Sequence, residues 1–183
     1  MKTYKFLPIE NHEIISKKFY EYVIKNTDIL EKKWDWNTLD CVKVLEYIPE
    51  LKVSCAKIIN HPITMIAIIH RNARQAGGVH IDVGGYNYRI LWPVSNCQGS
   101  YTKFFDLNGN NIIEKKGPEG DTFLTFEKKN TLIEIDALEL VAPAVFNTRT
   151  PHGVWTNPTC NESRLTATIQ FGKFPLEQIF DKV

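Results

Sequence analysis

Short strand-like segments fill most of the chain after residue 53. They are runs of β-branched and aromatic residues, each about 4–8 residues long, separated by glycine, proline and asparagine. The runs are ITMIAIIH (63–70), VHIDV (79–83), YRILWPV (88–94), YTKFFD (101–106), TFLTFE (122–127), LIEIDALELV (132–141), AVFNT (144–148), HGVW (152–155) and RLTATIQF (164–171). Because no helical pattern lies between them, parallel strands joined by helices are disfavoured. The sequence predicts a mainly β fold, an antiparallel sandwich or barrel of about eight or nine strands.

The first fifty residues have a different pattern. Apolar residues recur at spacings of three and four over 12–26, which predicts a helix with one buried face and Asn11 as its N-cap. A second short helix is predicted over 38–47, ended by Pro49, and KKWDWN (32–37) is interpreted as a polar connection. A chain of 183 residues fits one domain. We expect helical support over about 1–50 and a β-barrel over about 53–172.

Charge and cysteine content exclude several classes of function. The formal net charge is +1 with both signs interspersed, so there is no basic surface that would indicate nucleic acid or an anionic membrane as partner. No segment has the length and apolarity of a membrane span or a secretory signal. The four cysteines lack C-x-x-C spacing, which favours reduced thiols, although Cys97 and Cys160 stay open as zinc ligands. We expect a cytoplasmic protein, and its oligomeric state stays open.

His80 and Asp82 lie two residues apart in the predicted strand VHIDV. Because side chains alternate along a strand, both project from the same face. An H-x-D pair alone is weak evidence, since a hydrogen-bonded surface pair explains it equally well. His152 offers a third ligand in a comparable setting, after a proline at the start of HGVW. Two imidazoles and one carboxylate that leave coordination positions open are the ligand set suited to non-haem Fe(II) in dioxygen chemistry.

Arg164 and Thr166 share one face of the predicted strand RLTATIQF, which begins 12 residues beyond His152. A guanidinium holds a carboxylate through two parallel hydrogen bonds, and a neighbouring hydroxyl adds a third. The pattern therefore predicts an anchor for an organic anion. The alternative is that Arg164 pairs with Glu162 on a strand surface.

The order H-x-D, a distant H and a later R resembles the Fe(II)- and 2-oxoglutarate-dependent oxygenases. The resemblance covers residues 80–171, about half of the chain. It implies a double-stranded β-helix, the jelly-roll barrel also seen in cupins, with supporting N-terminal helices. HIDVGGYNYRI and HGVWTNPTCNESRL are most similar to the aspartyl/asparaginyl β-hydroxylase-like branch, which has an arginine nine positions after the first ligand histidine. Arg89 occupies that position here.

The resemblance implies a 2-oxoglutarate-dependent dioxygenase that uses Fe(II), O2 and, in vitro, ascorbate. The implied metal ligands, which form the catalytic centre, are His80, Asp82 and His152. The residues implied to bind 2-oxoglutarate are Arg164 and Thr166, with Arg89 contacting the cosubstrate or the substrate. The implied outcome is hydroxylation of a protein or peptide side chain or of a small molecule. Halogenation is disfavoured because Asp82 fills the position that a halide would need.

Two alternatives use the same barrel. A cupin-like metal- or ligand-binding barrel without turnover shares the His/Asp/His set but needs no 2-oxoglutarate anchor. A lyase or isomerase would consume substrate without oxygen uptake. In each case the ligand histidines need acceptors for their second ring nitrogen, and the sequence offers Asn147, Thr150 and Tyr86 as candidates.

Overall fold

The computed structural model describes residues 3–31, 34–83, 87–116, 122–128, 131–172 and 174–182. The helices are α1 (His12–Asn26), α2 (Cys41–Tyr47), α3 (Pro49–Ala56) and α4 (Glu177–Lys182). The strands are β1 (Tyr4–Phe6), β2 (Trp34–Leu39), β3 (Met65–Arg71), β4 (Ile81–Asp82), β5 (Tyr88–Ser95), β6 (Tyr101–Asp106), β7 (Ile112–Lys116), β8 (Thr122–Phe126), β9 (Ile133–Glu139), β10 (Ala144–Asn147), β11 (His152–Trp155) and β12 (Arg164–Gln170). Within these ranges, every helix is too short or too polar to cross a bilayer.

The strands form antiparallel sheets in two layers. The first layer is a six-stranded sheet with the order β1-β10-β5-β12-β3-β2. The second contains the sheets β11-β6-β9 and β4-β8-β7, which backbone bridges between His80 and His152 join. Leu91 and Phe146 of the first layer pack with Phe104 and Leu138 of the second. Side chains between the layers therefore line the interior of a β-barrel.

The outer face of the six-stranded sheet packs against the helices. Trp92 of β5 and Leu165 of β12 belong to the same buried cluster as Phe19 and Val23 of α1. Burial of each large apolar side chain contributes about 1.5–3 kcal/mol, so this layer anchors the sheet firmly. Because side chains alternate, the polar residues at even positions of β12 project from the opposite face, into the barrel. These are Arg164, Thr166 and Thr168.

All nine predicted strands are present, as β3–β6 and β8–β12, and the helix predicted over 12–26 is α1. The predicted cap of α1 is wrong: Asn11 has a φ of 56° and its side chain makes no capping hydrogen bond. The second helix begins later than predicted, at Cys41, because Asp40 caps it by accepting from Val42 N and Lys43 N. Residues 38 and 39 belong instead to β2.

The boundary between helical support and barrel also differs from the prediction. Residues 34–39 pair with β3 as strand β2, so residues 34–37 of the predicted polar connection are part of the main sheet, and residues 32 and 33 lie outside the described residues. The second helix ends at Tyr47, as predicted, and Pro49 then starts a further helix, α3, because proline is well tolerated at the first helical position. Strand β1 also lies within the first fifty residues, and the first strand after α3 begins at Met65.

Candidate metal and cosubstrate site

Three side chains converge inside the barrel: His80, Asp82 and His152. One nitrogen or oxygen of each lies within 4.8 Å of the others. Asp82 Oδ1 is 3.3 Å from His80 Nε2 and 3.9 Å from His152 Nε2. No other group of three or more His, Cys, Asp or Glu residues with this spacing occurs in the described part of the chain. The alternative zinc site at Cys97 and Cys160 is therefore not seen, and both residues are free thiols.

The backbone pairing between two segments brings these side chains together. His80 N donates to His152 O and His152 N donates to His80 O, each over 2.9 Å, so the residues face each other across antiparallel chains. Directly opposite residues project to the same side, and Asp82 follows two residues later on that side. Gly77 permits the close approach, since a Cβ there would lie 3.0 Å from Val154 O.

Backbone carbonyls orient both imidazoles. His80 Nδ1 lies 2.9 Å from Gly78 O, and His152 Nδ1 lies 2.9 Å from Thr150 O. With Nδ1 held at these carbonyls, Nε2 of each ring is turned towards Asp82, which is the orientation that metal-binding histidines need once Nε2 is deprotonated. The Thr150 carbonyl is thus the partner of His152 Nδ1, whereas Asn147 Oδ1 accepts a hydrogen bond from Arg149 N. Tyr86 lies outside the described residues.

Electrostatics favour the protonation states that bind a cation. Burial opposes ionisation of Asp82, but the hydrogen bond from His80 and the charge of Arg89 outweigh it and hold the pKa of that carboxyl well below its usual range. Burial, together with the charge of His80, lowers the pKa of His152 to about 4. At neutral pH the cluster therefore presents a carboxylate and a neutral buried imidazole. This donor set fits a divalent transition metal with open coordination positions.

Arg89 lies on β5 beside the cluster. Its Nε is 3.3 Å from Asp82 Oδ2, the carboxylate oxygen that the histidines do not approach most closely. Its guanidinium carbon lies 4.7 Å from the centre of the Trp36 ring, a cation–π distance. Arg89 thus neutralises the outer oxygen of Asp82 and leaves Oδ1 for a metal. The contact of Arg89 with cosubstrate or substrate stays a prediction.

Arg164 and Thr166 are buried on the inner face of β12, 3% and 2% exposed. Among the described residues, Arg164 Nε and Nη2 are buried and have no hydrogen-bond partner. Glu162, the alternative partner, accepts a hydrogen bond from Asn96 Nδ2 instead. A buried guanidinium with unused donors is costly unless an anion binds it, so the site fits the predicted anion anchor.

Aromatic rings form apolar walls near the cluster. The ring centres of Phe146 and Phe104 lie 5.2 Å and 6.3 Å from that of His152, and Phe123 lies 6.5 Å from His80. No sequence pattern places Phe123, Phe146 or Trp36 at the site, because their distance from the three candidate ligands depends on which strands pair across the barrel. A surface cleft of about 600 Å³ between α1 and residues 93–98 contains none of the predicted site residues.

No family model and no curated protein matches the sequence. Solved structures do match the fold. EvdO2 from Micromonospora carbonacea var. aurantiaca, complexed with 2-oxoglutarate, has a TM-score of 0.55 at 11% identity, over 95% of this chain and 90% of its own. The epimerase SnoN, in complex with Fe3+, alpha-ketoglutarate and nogalamycin RO, has 0.53 at 11%, over 91% and 78%.

A third similar structure is the collagen prolyl hydroxylase vCPH of Paramecium Bursaria Chlorella virus-1, in a complex with 2-oxoglutarate. Its TM-score is 0.51 at 10% identity, over 92% of this chain and 94% of its own. Similarity at these identities shows the fold. The predicted double-stranded β-helix is confirmed, and it is the fold that these 2-oxoglutarate-binding proteins share with the chain. Membership of the aspartyl/asparaginyl β-hydroxylase-like branch stays a prediction.

Proposed function

We propose that the chain is a non-haem Fe(II)- and 2-oxoglutarate-dependent dioxygenase that hydroxylates a protein or peptide side chain or a small molecule. One observation carries the proposal: His80, Asp82 and His152 meet within 4.8 Å inside a double-stranded β-helix. The similar structures support the cofactors, because EvdO2, SnoN and vCPH bind 2-oxoglutarate and SnoN also binds iron. SnoN is an epimerase, so hydroxylation is not the only reaction that occurs on this fold.

The proposed roles follow from the geometry of each side chain. His80 Nε2, Asp82 Oδ1 and His152 Nε2 would hold the metal, and a set of three protein ligands would leave coordination positions for the cosubstrate and O2. When bound, Fe(II) supplies the activation of O2 that accompanies conversion of 2-oxoglutarate to succinate and CO2. The apolar walls at Phe104 and Phe146 keep bulk water away from the reacting groups.

Arg164 and Thr166 are proposed to hold the far carboxylate of 2-oxoglutarate. The free donors of Arg164 offer two parallel hydrogen bonds to a carboxylate, and the Thr166 hydroxyl adds a third. A carboxylate fixed at this end directs the keto acid end of the molecule towards the metal ligands. We further propose that the chain acts as one domain in the cytoplasm, on a substrate that is not a nucleic acid.

A cupin-like barrel that binds a metal or ligand without turnover is the alternative function. Such a barrel would share the three metal ligands. It would not explain why the guanidinium of Arg164 is buried on the inner sheet face with donors that lack a partner. Binding of 2-oxoglutarate that depends on Arg164 therefore separates the two functions.

The test is titration of the Mn(II) form, or the anaerobic Fe(II) form, with 2-oxoglutarate. We expect saturable binding that Arg164→Gln weakens by about 10–100-fold, the loss expected for a charge-assisted hydrogen-bonded pair. Arg74→Gln is the matched control, because Arg74 is exposed and contacts Asn161. With Fe(II), ascorbate and O2, a substrate panel should then reveal stimulated succinate formation. Absence of 2-oxoglutarate binding by the wild-type metal form would contradict the proposal.

A further inference from the structure

A second arginine lies directly opposite Arg164. In the antiparallel pair β3–β12, Arg71 is the register partner of Arg164. Directly opposite residues project to the same face with Cβ atoms about 4.5–5.5 Å apart. Arg71 therefore shares the inner face that carries Arg164 and Thr166. Ile69, two residues earlier on the same face, packs against the cluster that contains Phe104, which confirms that this face is turned to the barrel interior.

This arrangement places two positive charges side by side on the inner face of the sheet. Arg164 is 3% exposed and Arg71 is half-buried, so neither charge is fully solvated. Burial and the positive charge of Arg164 lower the pKa of Arg71, the shift expected for two guanidinium groups that repel each other. Like charges directly opposite in a sheet destabilise it. An anion bound between the two guanidinium groups would relieve this repulsion.

The chemistry of the two side chains defines that ligand. Each guanidinium donates from a planar fork that matches a carboxylate, and a carboxylate offers about four lone pairs. Two forks and the Thr166 hydroxyl can therefore surround one carboxylate group. We propose that Arg71 is a second anchor for the far carboxylate of the cosubstrate, so that two arginines, and not one, select a dicarboxylic keto acid. This inference rests on the proposed function, because it takes 2-oxoglutarate as the cosubstrate.

A matched pair of keto acids tests the anchor. 2-Oxopentanoate has the same chain length and keto acid end as 2-oxoglutarate but lacks the far carboxylate. Both are titrated into the Mn(II) forms of the wild type, Arg71→Gln and Arg71→Lys, with Arg74→Gln as control. We expect Arg71→Gln to weaken 2-oxoglutarate binding about 10-fold or more and to change 2-oxopentanoate binding less than about 2-fold. Arg71→Lys should weaken 2-oxoglutarate binding by about 3-fold, since an ammonium group cannot bind a carboxylate in bidentate fashion.

Three results would overturn the proposed role of Arg71. Unchanged or tighter 2-oxoglutarate binding by Arg71→Gln would overturn the anchor, and so would equal weakening of both keto acids. If Arg71→Gln does not fold, as judged by circular dichroism, unchanged 2-oxoglutarate binding by Arg71→Lys would overturn it.

Glutarate, which has both carboxylates but no keto group, separates this inference from the proposed function. If the wild type binds glutarate through Arg71 but binds no keto acid in the Mn(II) form, the anchor stands and the dioxygenase proposal fails. If it binds neither, both fail.

Discussion

Arg89 sets the charge and orientation of Asp82. Its Nε lies 3.3 Å from Asp82 Oδ2, and its charge is one reason that the pKa of Asp82 is low. Residues that support a metal ligand in this way commonly change metal affinity 10–100-fold when they are replaced.

We therefore predict that Arg89→Gln weakens Co(II) or Mn(II) binding by about 10–100-fold at neutral pH, because Asp82 loses its charged partner. Titration followed by the visible spectrum of Co(II) measures the affinity. Arg74→Gln should leave it unchanged. Wild-type affinity in Arg89→Gln would show that Asp82 needs no support from this arginine.

His152 should make the metal-free protein sensitive to acid. Its pKa is about 4 in the folded chain, against 6.5 for an unperturbed histidine. Between these values the unfolded chain binds a proton at residue 152 and the folded chain does not, so lowering the pH favours unfolding. Asp82, whose folded pKa is lowered, adds a further loss of stability only below about pH 4.

From pH 7.5 to pH 4.5 we predict that His152 accounts for a loss of about 2–3 kcal/mol in the free energy of unfolding. Urea unfolding of the metal-free wild type and His152→Gln measures it, since the variant retains every other titrating group. As the pH falls, the wild type should lose more free energy of unfolding than His152→Gln, so that any advantage of the wild type shrinks or reverses. Parallel pH dependences would contradict a buried neutral His152.

At the level of elements, the close contact between residues 76–80 and β11 fixes the spacing of the two histidines. Gly77 lies against the backbone of Val154, where an added Cβ would meet Val154 O at 3.0 Å. Backbone atoms cannot rotate away, so a larger residue must separate the two segments that carry His80 and His152.

Gly77→Ala is thus predicted to destabilise the protein by about 1–3 kcal/mol and to weaken metal binding. Thermal unfolding and Co(II) titration measure the two effects. Gly109→Ala is the control: Gly109 has a φ of 71° with nothing near its Cβ, so alanine there should cost about 1 kcal/mol without changing metal affinity. Unaltered metal binding in Gly77→Ala would show that this contact does not set the histidine spacing.

The elements that the sequence reveals are those with strong local patterns. The alternation and turn residues after residue 60 identify nine strands, and the period of α1 identifies the helix. Strand β2, WDWNTL, is not predicted because Asp35 and Asn37 are residue types that strands disfavour, and its pairing with β3 stabilises it nevertheless. Strand β7, IIEKK, is largely exposed and pairs only with β8.

For the site, the sequence indicates the three candidate ligands through residue type and order. It cannot indicate partners that only strand pairing brings close. Arg71 ends the run ITMIAIIHR with no local sign of a role, and its position opposite Arg164 follows from the β3–β12 register. Trp36 is the register partner of Ile69 and shares its inner face of the sheet, where it meets the Arg89 guanidinium although β12 and β3 lie between β2 and β5.

For the whole molecule, binding of the metal and of the cosubstrate should each raise the free energy of unfolding. A ligand that binds only the folded chain, at a free concentration 100 times its Kd, adds about 2.7 kcal/mol, which raises the Tm of a chain of this size by about 5–10 °C. We predict such a rise with Mn(II), and a further rise with 2-oxoglutarate that is much smaller without the metal. Differential scanning fluorimetry measures both. His80→Ala should abolish the response to Mn(II), and a retained response would place the metal elsewhere.

The most direct measurement is a crystal structure of the protein grown with Mn(II) and 2-oxoglutarate, with anomalous data at the manganese edge. We predict one anomalous peak bonded to His80 Nε2, Asp82 Oδ1 and His152 Nε2, with the keto acid chelating the manganese and its far carboxylate on the Arg164 guanidinium. A peak elsewhere, no peak at these three atoms, or a keto acid that points away from Arg164 would contradict it.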